Sequence, residues 1–145
     1  MFRLILIVAI LTFSCKSQKN EQFSSGMNTD NDLILVLEDN FATDTLLTIT
    51  INDQKALNSF FAKVNRTRKP GIPVPTIDFN KEMIAIVCAG AQKGVESIRL
   101  FRANETETTI EIGIEKLKNK SDSKLISYPF CIYKLPKTNK AITFD

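Results

Sequence analysis

The sequence predicts an α+β fold: a mostly antiparallel β-sheet with one amphipathic helix in the N-terminal half of its domain. Three observations lead there. Short segments either alternate apolar and polar residues or are apolar throughout, at strand lengths. One stretch, Asn52 to Asn65, carries its apolar residues at helical spacing. The order is strands, helix, then a run of strands, without the regular strand–helix alternation of a parallel sheet.

The elements follow in chain order. LILVLE (Leu33–Glu38) is a short apolar run and reads as a strand. LTITI (Leu47–Ile51) alternates, with Leu47, Ile49 and Ile51 on one face and two threonines on the other. Asn52 or Asp53 then caps a helix. Its residues Ala56, Leu57, Phe60, Phe61 and Val64 form a single stripe. In RTRKPGIPVPTIDFN (Arg66–Asn80), three prolines and a glycine within six residues exclude both a helix and a central strand. Met83 to Cys88 is apolar on both faces, which predicts a central strand. ESIRLFRA (Glu96–Ala103) is another strand. In TTIEIGIEK, Ile110, Ile112 and Ile114 face inward while Glu111 and Glu115 face outward. Leu117 to Ser127 reads as a loop with charges of both signs, and YPFCIYKLPK and AITFD close the sheet. Phe60 and Ile86 are the expected core markers of the helix and the central strand.

Ahead of this domain, residues 33–145, lie two segments of different character. Met1-Phe2-Arg3 is a basic start, and Leu4 to Phe13 is apolar apart from Thr12. That run has the length of a secretory h-region and about half that of a membrane-spanning helix. It ends in Leu11-Thr12-Phe13-Ser14-Cys15, which resembles a loose form of the bacterial lipobox. Residues 1–14 are therefore expected to be a lipoprotein signal peptide, and Cys15 to carry the lipid. The other reading is an ordinary cleaved signal with an incidental cysteine. Two or three acyl chains on Cys15 would anchor the chain stably in a membrane. Residues 15–32 then form a polar tether without periodicity, whose ends sit about 20–25 Å apart as a flexible coil. Loss of residues 1–14 removes Arg3 and no acid, so the net charge falls from +3 to +2. A chain this close to balance carries no nucleic-acid signature.

The chemistry is mostly absence. The chain has no histidine, so the usual general base and the commonest metal ligand are missing. Its three cysteines make no metal-ligand spacing, and neither PGIP nor AGAQKG matches a phosphate loop. The carboxylates are scattered on outward positions or in loops. No catalytic residue, metal site or cofactor is expected, and the chain is not expected to be an enzyme. Cys88 and Cys131 admit two readings. They are either small apolar residues in strands or a disulfide closing a loop of about forty residues, contributing roughly 3–4 kcal/mol in the chain-entropy model.

The segment Arg66 to Asn80 also admits two. It is either a connection stiffened by proline or a preorganised basic edge that grips a partner through Arg66, Arg68 and Lys69.

RKPGIPVPTIDFNKEMIAIVCAG, followed by strands, SYPFCIYKLPK and a closing ITF, resembles the protease complex subunit PrcB family over about Asn52 to Asp145. The matching positions are the pair Asp78 and Phe79, the strand Met83 to Gly90, and Ile132 to Pro136. The family's glycine-rich turn with tyrosine is replaced by Ala91 to Ser97, which keeps Gly94 and has no tyrosine. The resemblance implies a non-catalytic envelope lipoprotein that supports a partner, in the founding case a surface protease. Two function classes follow. One is a membrane-tethered binding or assembly module in the bacterial cell envelope. The other is an inhibitor of envelope proteases.

Overall fold

The computed structural model describes residues 32–118 and 125–145. Cys15 and the signal segment therefore lie outside the described residues, as does all of the tether but Asp32. Among the described residues, no helix is long and apolar enough to cross a membrane.

The fold is α+β, in three layers. Strands β1 (Ile34–Asp39), β2 (Leu46–Ile51), β3 (Glu82–Ala89) and β8 (Phe130–Pro136) form an antiparallel sheet in the order β1-β8-β3-β2. Helix α1 (Gln54–Val64) packs on one face. A second sheet, of β5 (Val95–Glu105), β6 (Thr109–Lys118) and β9 (Ala141–Phe144), packs on the other. A short ladder joins β4 (Gln92–Lys93) to β7 (Ile126–Ser127).

The sequence dictates the layering through β3. Ile84, Ile86 and Cys88 point toward α1, where they meet Leu57, Phe60, Phe61 and Val64. Met83, Ala85, Val87 and Ala89 point the other way, onto Ile98, Leu100, Ile110 and Ile112. A strand covered on both faces must be apolar at every position, and β3 is. Phe60 and Ile86 are both buried, as the periodicity predicts.

Local signals set the boundaries. Asp53 caps α1, its Oδ1 accepting from the Ala56 amide at 2.8 Å. Gly90 ends β3 at φ +66°, where a Cβ would also meet the Asp44 carbonyl at 3.0 Å. Gly113 is required for another reason: on the outer face of the second sheet it sits opposite Phe101, whose ring fills the space a side chain would take.

The strands do not close one sheet. Pro136 ends β8, and Ala141–Phe144 crosses to the second sheet to pair in parallel with β6. The segment expected to be a loop before β8 contributes Ile126 and Ser127 to the β4 ladder.

Candidate functional site

The connection after α1 is pinned at two points. Asn65, the C-cap of the helix, reaches across the loop with its amide. Its Nδ2 donates to the Ile72 carbonyl, and its Oδ1 accepts from the Ile72 N–H, both at 2.8 Å. Arg68 makes the second attachment. Nη1 and Nη2 donate to the two carboxylate oxygens of Asp39 at 2.7 and 2.9 Å, and Nη1 also reaches the Phe41 carbonyl at 3.2 Å. Both side chains are about three-quarters buried, which shields this bidentate pair from solvent. Arg68 holds the Asp39 carboxyl below its ordinary range, and the carboxylate in turn raises the guanidinium.

This arrangement divides the three predicted partner-binding cations. Arg66 and Lys69 are exposed. Arg68 is paired within the fold: both terminal nitrogens of its guanidinium donate to Asp39 at the end of β1. The loop is tied to the helix end by Asn65 and to β1 by Arg68, so one of its three cations pairs with the scaffold.

The possible disulfide between Cys88 and Cys131 is not formed; both thiols are free and buried. Their strands are neighbours, as a bridge would need, but Cys88 lies opposite Phe130 and Cys131 opposite Val87. That one-residue offset turns the two side chains to opposite faces of the sheet. Cys88 joins the helix-side core and Cys131 the core between the sheets. Burial pushes the Cys88 thiol up to about 11 and the Cys131 thiol up to about 12, so both stay protonated at neutral pH.

The feature that sequence reasoning missed is a surface groove of about 350 Å³ between β2 and α1. Its floor is Leu47, Ile49 and Ile51 of β2. Its wall is Ala56, Ser59, Phe60, Lys63 and Val64 of the helix. Leu47, Ile49 and Ala56 are only partly covered. Lys63 is the one ionisable side chain among the lining residues. Thr43, from the connection between β1 and β2, and Thr50 of β2 add to the lining.

The groove exists because β2 is the last strand of its sheet. The helix covers the sheet from above, but among the described residues no further strand closes the side. The amphipathic patterns of β2 and α1 were both legible in the sequence. That β2 lies at an edge depends on pairings far apart in the chain.

Among the described residues, no three His, Cys, Asp or Glu side chains gather as metal ligands. Comparison of the chain with protein-family models, with curated proteins and with solved structures gave no match in any of the three.

Proposed function

We propose that this chain is a non-catalytic module, tethered to a bacterial envelope membrane through a lipid on Cys15, that binds another envelope protein. The lipobox-like run and the polar segment after it support the tether. The PrcB-like residues, Asp78 and Phe79 with the strands that follow, support a helper role beside a partner.

The observation that carries the binding reading is the apolar groove beside β2. Partly covered aliphatic side chains along a concave surface, with one cation at the wall, are what a binding site offers and what a self-contained domain buries. The loop after α1, held by Asn65 and Arg68, exposes Arg66 and Lys69 on a backbone that loses little freedom when a partner docks.

The test uses the full-length protein, crosslinked in its native membrane and recovered with whatever it holds. Ser59→Arg fills the groove from the exposed side of the helix and suits the helix better than serine does. The expected result is one envelope protein retained by wild type, lost with Ser59→Arg at unchanged melting temperature, and active when bound if it is a protease. Equal retention by the variant would show that the groove is not the site. A bound protease silenced by the chain would instead make it an inhibitor. Cys15→Ser should release the chain from the membrane fraction or leave it unprocessed, and a variant fractionating and processed like wild type would refute the anchor.

A further inference from the structure

The four open edges of the two larger sheets are not alike. Edge strands invite pairing with another chain, and proteins blunt them with bulges, charge, proline or shortness. The β1 edge has a register shift between Leu35 and Leu37 and ends in Glu38 and Asp39. The β5 edge has two register shifts and carries Arg99, Arg102 and Glu105. Strand β9 is only 4 residues long. Strand β2 has none of these devices. LLTITI is 6 residues without charge or proline, in unbroken register with β3 from Leu46 to Ile51.

The direction of its backbone groups follows from the ladder. The Ala89 amide donates to the Pro129 carbonyl, and the Lys137 amide to the Lys81 carbonyl. Odd-numbered residues of β3 thus turn their backbone groups to β8, and Ile84, Ile86 and Cys88 turn theirs to β2. Their partners Ile51, Ile49 and Leu47 answer them. Thr48 and Thr50 are left with N–H and C=O pointing out of the sheet, alongside the groove.

We propose that β2 takes an extended segment of a partner protein as a fifth, antiparallel strand. Apolar side chains at every second position of that segment fill the groove, and an acidic group at its C-terminal end lies by Lys63. This rests on the binding-module reading and specifies its mode. Main-chain bonds to Thr48 and Thr50 supply the pairing, and the groove reads alternate side chains. Antiparallel pairing continues the sheet as it stands. It sets the C-terminal end of the segment near Leu47, at the start of β2; Lys63, in the last turn of the helix that leaves the other end of β2, lines the same groove. Lys63 is the one charge among the lining residues for a segment to match.

The test selects a displayed library of random dodecapeptides on the full chain held in detergent. Recovered peptides should carry apolar residues at alternate positions and an acid toward the C-terminus. Methylating the amides of one alternate set in a recovered peptide should weaken binding at least tenfold, and methylating the other set should not. Thr48→Pro, which removes an outward-pointing donor and no existing ladder bond, should weaken binding equally. Peptide methylation leaves the protein untouched, so it decides the matter even if the proline variant melts early. Recovery of no peptides, peptides without alternation, or equal tolerance of both methylation patterns would overturn the proposal. So would a dimer that Thr48→Pro dissolves and no peptide displaces, since the edge would then belong to a second copy. If the crosslinked partner is lost with Ser59→Arg but kept with Thr48→Pro, strand addition fails while the binding module stands.

Discussion

Gly113→Ala should destabilise the protein, and the same change should stabilise it once Phe101 is gone. A Cβ built on Gly113 would lie 2.3, 2.6 and 2.8 Å from three atoms of the Phe101 ring, closer than real Cβ contacts allow. The ring must swing off the strand. Phe101 is largely covered but keeps an exposed edge, so swinging the ring partly out forfeits a share of a phenylalanine's burial, on the order of 1–1.5 kcal/mol. Its packing over the partner strand adds several tenths more. Against this, alanine in a strand interior is better than glycine by about 0.5–1 kcal/mol. The net cost is about 0.5–1.5 kcal/mol. In a Phe101→Ala background the clash is absent and only the glycine term remains, so Gly113→Ala should raise stability by about 0.5–1 kcal/mol. Urea unfolding of the four proteins of this cycle gives the coupling, expected at about 1–2.5 kcal/mol. Midpoints should move with the slope unchanged. If Gly113→Ala shifts stability by the same amount and sign in both backgrounds, the ring does not occupy the space over Gly113 and the argument fails.

Arg68→Ala should cost about 1–3 kcal/mol, because it leaves the largely buried Asp39 carboxylate without its partner; a change below about 0.5 kcal/mol by thermal melting would mean the pair contributes no more than an exposed one. The same pair sets an acid dependence. Arg68 lowers the folded-state pKa of Asp39 below its unfolded value, so its stabilisation is full above about pH 4–5 and is lost as pH falls through the folded pKa. Wild type should therefore lose stability relative to Asp39→Asn on acidification, and parallel pH profiles would contradict this. Cys88 and Cys131 should resist a thiol reagent at pH 8 in the folded protein, react once it is unfolded, and never form an intramolecular bridge under oxidation, as read by mass. Ile86→Ala should cost about 2–5 kcal/mol as a fully buried truncation, and a loss under 0.5 kcal/mol would place Ile86 at the surface.

What the sequence disclosed was what neighbours in the chain decide. The stripe from Ala56 to Val64 and the Asp53 cap lie within one helix. The two-faced apolar run of β3 announced a strand between two layers. What it concealed depends on partners far away. Asp39 and Arg68 are 29 residues apart, and no local pattern links them. The disulfide question turned on a single step of register between β3 and β8, which composition does not encode. The groove needed strand order, because LTITI would read the same at the centre of a sheet as at its edge. The parallel arrival of β9 on β6 likewise depends on where Pro136 sends the chain.

The position of β8 has a consequence for how the domain comes to exist. It lies between β1 and β3, and its side chains serve both cores, Phe130 and Ile132 on one side and Cys131, Tyr133 and Leu135 on the other. Its pairing with β1 brings Ile34 opposite Lys134, nearly the whole length of the domain away. A chain made from its N-terminus therefore carries β1 from Asp39 onward, and β2, α1 and β3 from Ala89 onward, without the strand that joins them until Phe130–Pro136 is made. Until β8 arrives, β3 has β2 on one side and an open apolar edge on the other, and β1 has no partner in its own sheet. Closing so long a loop before any contact rewards it makes folding slow for a domain of this size. During that interval the unfinished chain displays a far stickier edge than the finished protein does, and a newly made copy must be kept from its neighbours until its eighth strand slides into place.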